Sequence, residues 1–263
     1  MDEVIHATRT ALRAKFCGIT CVSPFYSLER GVNNIVSLVV VTPKISLRTI
    51  IGNRAKMEKH GQKIVIRLIE ALKELVDDDF FIRRIQPHSI RLDENFKNLV
   101  FCDLRNAITR GELGTCTYGF FEPYNCSLEY ELSRDKKDDV VWDMYAIGAV
   151  ILEIIVGTEI IIMIKSYADM KKLVNLCANY IDEETVKVLK SLLQMGEHEN
   201  FMKYLNDVLT PYPNIIAENI RAMDMAIEEE PVLKNTVTEF WKEIEKEKTQ
   251  LYRQKWGVHK DII

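Results

Sequence analysis

Proline and glycine are scarce, at 7 and 11 residues in a chain of 263. That is too little for a low-complexity or linker-rich protein. An excess of positive charge is also missing. Lys and Arg total 35 against 39 Asp and Glu, for a net charge of -4. Without a basic field, sequence-independent nucleic-acid binding is excluded as a default. The six cysteines are Cys17, Cys21, Cys102, Cys116, Cys126 and Cys177. They form no Cys-x-x-Cys pair, and no spacing sets them against histidine as a zinc site requires. They read as buried or spare thiols of a reducing compartment. Cys17 and Cys21 either share one helical face or flank a turn. The five histidines are scattered, with no second ligand at helical spacing, so no metal site is expected. Residues 1–13 carry Asp2, Glu3 and further charges instead of an apolar h-region, so no secretory signal is expected.

What is present begins with one long apolar run, residues 146–164, about the length of a bilayer span. Glu153 and Glu159 interrupt it, Gly157 breaks it, and Asp143 and Lys165 bracket it. A charge at mid-bilayer costs roughly 2.5 kcal/mol or more, so no membrane span is expected. A helix apolar on every side belongs at the centre of a domain.

Around this run the periodicity reads as α+β, mainly helical. Residues 2–16 fit a short helix, with Val4, Ile5, Ala7, Leu12 and Phe16 as its loosely periodic apolar positions. Residues 19–22 and 25–28 are strand-like, and residues 30–34 are a turn. Residues 35–41 (IVSLVVV) are a β-branched run typical of a buried strand, ended by Pro43. From Ser46 the period becomes helical. A short helix precedes a long one over residues 60–78, where Ile64, Leu68, Ala71, Leu72 and Leu75 recur at three-to-four spacing. Short apolar pieces follow at 80–85, 90–92 and 99–101. Residues 106–137 are rich in breakers and read as irregular loop. Residues 142–156, 166–180, 182–193, 201–209, 214–229 and 231–256 then read as helices.

Five short motifs lie in order along this pattern. Val39-Val40-Val41 is followed by Ser46-Leu47. Ile82-Arg83-Arg84-Ile85-Gln86-Pro87-His88-Ser89-Ile90 forms the second and Asp103-Leu104-Arg105 the third. Gly114-Thr115-Cys116-Thr117-Tyr118 with Phe120-Phe121-Glu122 is the fourth. Asp143-Met144-Tyr145-Ala146-Ile147-Gly148 with Glu153 and Gly157 is the fifth. In this order and spacing, residues 35–193 resemble the second half of a eukaryotic protein kinase. The matches fall at the hinge, the H-R-D-x-K-P-x-N catalytic loop, the D-F-G motif, the end of the activation segment and the D-x-W-S-x-G helix. The resemblance implies a kinase-like large lobe over residues 45–212. It implies a reduced, β-containing small lobe over residues 1–44 and a helical C-terminal extension over residues 213–263.

Phosphoryl transfer rests on positioning and charge neutralisation. The parts that supply these are missing. No G-x-G-x-x-G and no V-A-I-K exists anywhere. Arg84 stands at the position of the catalytic base, and a guanidinium cannot accept a proton. Gln86 replaces the loop lysine, Ser89 the metal-binding asparagine and Arg105 the flexible glycine. Asp103 is the one residue left for a metal or nucleotide contact, and one carboxylate is a weak Mg²⁺ site. What survives is architectural. Arg83 and Asp143 match a pair through which the central helix holds the catalytic-loop backbone. Glu122 survives without its usual arginine; solvent or a lysine such as Lys187 or Lys190 would have to serve. Arg83, Arg84, Arg91 and Arg105 either form a basic patch or pair internally with Asp77, Asp78, Asp79 or Asp103.

The resemblance thus implies a pseudokinase without cofactor or metal, acting as a scaffold or structural subunit through protein partners. Its expected place is the cytoplasm, within a large or cytoskeletal assembly. Two rivals stand beside this reading. One is a non-catalytic kinase-lobe module that binds peptides; the other is a nucleotide-sensing atypical kinase that uses Asp103. The last segment, from Pro231, reads as an amphipathic helix of about 25 residues, or ~38 Å. Phe240, Trp241, Ile244 and Trp256 on it are the candidate partner-binding residues. The alternative is that this helix packs on its own lobe.

Overall fold

The computed structural model describes residues 2–30, 36–109, 123–124, 140–195 and 201–229. Glu122 and the four tail candidates Phe240, Trp241, Ile244 and Trp256 lie outside the described residues, as does the expected helix over 231–256.

The apolar run forms helix α4 (Val140–Val156), numbered after α1 (Asp2–Cys17), α2 (Leu47–Ile51) and α3 (Arg54–Asp77). From Tyr145 to Val156 every residue of α4 is buried. The long helix α3 presents the stripe Ile64, Leu68, Leu72 and Leu75 to the core. Three later helices complete the packing: α6 (Tyr167–Cys177), α7 (Glu183–Leu192) and α9 (Ile215–Glu229). Two single-turn helices, α5 (Thr158–Ile161) and α8 (Phe201–Tyr204), link them. Helix α4 packs against α3, α7 and α9 at once. No helix among the described residues is long and apolar enough to cross a membrane.

The strands are short. β1 (Phe25–Arg30) and β2 (Val36–Val40) form an antiparallel hairpin, with Leu28 opposite Leu38. β3 (Ile45–Ser46), β5 (Ile90–Leu92) and β6 (Leu99–Phe101) form an antiparallel sheet in that order. β4 (Phe80–Phe81) pairs with β7 (Ile108–Thr109), inside the stretch expected to be irregular. Val22 adds a parallel bridge to Phe101, with Phe101 N–H donating to Cys21 O at 2.8 Å.

Three sequence expectations are corrected here. Strand β2 is not buried: Leu38, Val39 and Val40 are half-buried and Val41 is 56% exposed. A two-stranded hairpin has one face covered by α1 and no second layer, so a β-branched run does not guarantee burial. On α1 the buried stripe is Ala7, Thr10, Ala11 and Ala14, while Ile5 and Phe16 are exposed. Small side chains let this helix approach closely, and they carry the 3.6 period that the larger residues miss. Residues 201–209 begin as a helix but continue as a π-helical segment, Leu205–Leu209. Ile216, Ile220 and Met223 of α9 are wholly buried in the same core as α3 and α4.

Polar ties fix how these helices meet. The Arg54 guanidinium donates to both Asp224 oxygens, at 2.6 and 3.1 Å. It also donates to the carbonyls of Ile154 and Ile155, at 3.0 and 2.7 Å. One side chain thus serves the exposed carbonyl end of α4 and joins α3 to α9. Near the other end of the helical body, Asn219 donates to Asp182 at 2.7 Å and to the Thr185 hydroxyl at 3.1 Å. That hydroxyl shares a 2.5 Å bond with Tyr204. Cys17 closes α1 and is exposed, whereas Cys21 is buried beyond the turn at Gly18, whose φ is 78°. The two thiols therefore flank a turn and share no helical face.

Gly148 marks a close approach of α4 and α7. A Cβ there would lie 2.8 Å from Leu192 Cβ and 3.1 Å from Leu193 Cγ. Gly148→Ala is expected to destabilise the protein by about 1–3 kcal/mol, the usual cost of overpacking. Urea unfolding measures it; an unchanged midpoint would mean that α4 and α7 can move apart.

Candidate functional site

The loop from Ile82 to Ser89 leaves β4 and runs beneath the N-terminal helix. Its anchor is Asp143, 1% exposed in the first turn of α4. The two Asp143 oxygens accept from the backbone N–H groups of Ile82 and Arg83, each at 2.7 Å. Arg83 has φ of 59°, which costs a side-chain-bearing residue roughly 1–2 kcal/mol. Charge-assisted bonds to a buried carboxylate hold the backbone there. Arg83 and Asp143 are therefore neighbours, joined through the main chain of the loop.

Downstream the loop closes on itself. The Ser89 hydroxyl donates to Gln86 O at 2.9 Å and accepts from Gln86 N–H at 3.2 Å. Both residues are buried. Pro87, at the start of the single 3₁₀ turn Pro87–Ser89, fixes the backbone between them. Cys102 N–H donates to Ser89 O at 2.9 Å, which binds the loop to the strand that leads into Asp103.

Asp103 is the charged centre of the site. Its side chain is 11% exposed. The Arg105 Nε and Nη2 atoms donate to its two oxygens at 2.9 and 2.7 Å, a forked pair. Arg84 Nε lies 3.5 Å from the same carboxylate. Burial alone would raise the Asp103 carboxyl. The hydrogen bonds and charge of Arg105, with the charge of Arg84, outweigh burial and hold it below the usual carboxylate range. Of the two arrangements open in the sequence, internal pairing with Asp103 is the one found for Arg84 and Arg105. Asp77 instead pairs with Lys73, one turn away on α3.

Above Asp103 lies a cleft of about 400 Å³. Its floor includes His88, Ser89, Arg91, Cys102 and Arg105, and its roof Val4, Ala7 and Leu38. The roof helix is tied to the floor. The His6 ring nitrogen lies 2.7 Å from Ala107 O, and Arg13 donates to Thr109 Oγ1 at 2.7 Å. Burial chiefly raises the Cys102 thiol, against a Ser23 hydrogen bond and the Arg91 charge. No group of three or more His, Cys, Asp or Glu side chains capable of holding a metal exists among the described residues.

A second polar cluster escaped the sequence reading. Glu153, wholly buried in α4, accepts from Tyr124 Oη at 2.6 Å, Thr158 Oγ1 at 2.7 Å and Arg48 Nη1 at 2.8 Å. Burial dominates and pushes its carboxyl up, although all three donors act in the opposite sense. Tyr124 comes two residues after Glu122, and this cluster ties it to the central helix. The signal in the sequence was a glutamate inside an apolar run, which requires partners once buried. It gave their existence but not their identity. Lys187, named as a stand-in partner for Glu122, pairs with Glu183 and Glu184 on the surface of α7.

No family model matches the chain, and no curated protein is similar to it in sequence. Among solved structures it is similar to the kinase PK-1 of Cydia pomonella granulovirus. The TM-score is 0.52 and the identity 15%, over 76% of this chain and 80% of that one. At this identity the likeness is one of fold. The chain has a kinase-like fold, α+β with helix in the majority.

Because Asp143 satisfies two loop N–H groups, Asp143→Ala is expected to destabilise the fold by about 3 kcal/mol or more. Asp143→Asn keeps one acceptor oxygen and should lose less. Chemical denaturation of the three proteins reads the order, and equal losses for Ala and Asn would remove the hydrogen-bond account.

Proposed function

We propose that this kinase-like chain is a catalytically inactive scaffold or structural subunit that works by binding other proteins. Residues 1–44, with α1 and the hairpin, act as a reduced small lobe above the helical large lobe. The observation that carries the reading is the state of Asp103. Its carboxylate is taken by the Arg105 fork, with Arg84 beside it. A divalent ion would have to displace one guanidinium and sit against another.

The rest of the chemistry is missing in the same place. Arg84 stands where a proton acceptor is needed and stays protonated at any relevant pH. The Ser89 hydroxyl is spent on the Gln86 backbone inside the loop. Each such loss removes an interaction worth orders of magnitude in rate. The groups that hold the loop to α4 remain, and these serve architecture whether or not a reaction occurs.

Incubation with Mg²⁺ and γ-labelled ATP should leave no label on the chain or on a generic protein substrate. Adding Mg²⁺ at fixed ATP should not raise the melting temperature. Label transfer that disappears in Asp103→Asn would overturn the reading and restore an enzyme.

The partner-binding half of the proposal rests on the amphipathic sequence around Phe240, Trp241, Ile244 and Trp256. Trp241→Ala and Trp256→Ala are each expected to cost an interface about 2 kcal/mol or more, while the melting temperature stays unchanged. If both variants instead lower the melting temperature and leave complex size in cell extract unaltered, the tail packs on its own lobe.

A further inference from the structure

The hairpin of β1 and β2 has two open edges, and only one of them is protected. A two-stranded ribbon turns alternate N–H and C=O groups of each strand away from its neighbour. Among the described residues no strand except β1 pairs with β2, and none except β2 pairs with β1. Proteins blunt such edges with charge, proline or a bulge. β1 carries two of these devices. Its register shifts between Phe25 and Ser27, and it ends on the exposed pair Glu29 and Arg30. β2 carries none. Its residues, VSLVV, contain no charge and no proline, and the nearest ionisable residues in the chain are Arg30 and Lys44.

The surroundings of this edge are apolar as well. Among the described residues, seven large apolar side chains are exposed. Five of them, Ile5, Phe16, Tyr26, Leu28 and Val41, belong to α1, the hairpin and the residue after it, so the exposed apolar surface is concentrated on this unit. A lone two-stranded ribbon is marginal in water, and further strands stabilise it.

The sequence of β2 fits a second copy of itself. Laid antiparallel about a two-fold axis at Leu38, Leu38 meets Leu38, Val36 meets Val40 and Ser37 meets Val39. No like charges face each other, which is the usual obstacle to symmetric pairing. The contact is isologous and closes at two copies. The sheet then runs β1, β2, β2, β1, and only the bulged and charged β1 edges remain outside, so it does not grow further.

We propose that the chain forms a two-fold dimer in which β2 pairs antiparallel with β2 of a second copy. The contact uses neither the cleft over Asp103 nor the sequence around Trp241, so it stands or falls apart from the inactive-scaffold reading. The seam has only five residues from each copy. It is small beside the interfaces of tight complexes, so a Kd on the order of 10 µM is expected.

Sedimentation equilibrium of the full chain over about 1–100 µM, a range that brackets that Kd, tests it. Ser37 is exposed, and about the two-fold the two Ser37 positions are diagonal neighbours roughly 7–8 Å apart. Ser37→Lys and Ser37→Glu should each weaken the dimer by about tenfold or more, because like charges then face each other. Mixed in equal amounts, the two variants should form a heterodimer at least as tight as the unaltered homodimer; misfolded variants cannot give that result. A chain that stays monomeric throughout overturns the proposal and leaves the β2 edge to a strand of another protein. A dimer that neither variant weakens, or a loss that mixing does not restore, overturns it too.

Discussion

Helix α4 is apolar around its whole circumference and yet carries Asp143 near one end and Glu153 near the other. Such a helix is stable only where other elements cover every side, and its carboxylates are tolerable there only with donors. The protein meets both demands at once. Helices α3, α7 and α9 supply the cover, and Gly148 lets α7 come close. Asp143 takes the backbone N–H groups of the 82–89 loop, and Glu153 takes Tyr124, Thr158 and Arg48. The central helix therefore positions two otherwise unconnected pieces, the loop before β5 and Tyr124.

That arrangement explains how the start of the 82–89 loop is held through its main chain. The frame depends on main-chain N–H groups and on one buried carboxylate, which place no demand on the loop side chains that face the cleft. Arg84 is thus free to differ without loss of the loop, whereas the Ser89 hydroxyl is part of the loop's own closure. Once Arg84 and Arg105 are present, Asp103 becomes an internal counter-ion, and its charge is spent within the protein.

The legibility of the fold varied by element for physical reasons. Helices α3, α4, α6 and α7 have strong apolar stripes or wholly apolar surfaces, and their periods announced them. Helix α1 was visible as a helix, but its buried face was misassigned, because alanines carry little hydrophobic weight in a pattern while they decide how close two backbones come. Strand β2 looked buried because β-branched residues favour strands whether or not a second layer covers them. The π-helical segment Leu205–Leu209 has no periodic signature over so short a run.

The sequence by itself determined the type and order of the main elements, the central burial of α4 and the residue types at the loop positions. Those depend on local periodicity and on side-chain chemistry, which neighbours along the chain define. The tertiary structure alone decided which charge meets which. Arg54 finds Asp224 across 170 positions, and Arg48 finds Glu153 across 105. Arg105 folds back on Asp103 two residues away, although Asp77, Asp78 and Asp79 were equally available by composition. Ion pairs form where the backbone brings opposite charges within a few ångströms, and that distance is a property of the packed helices, not of their spacing in the chain.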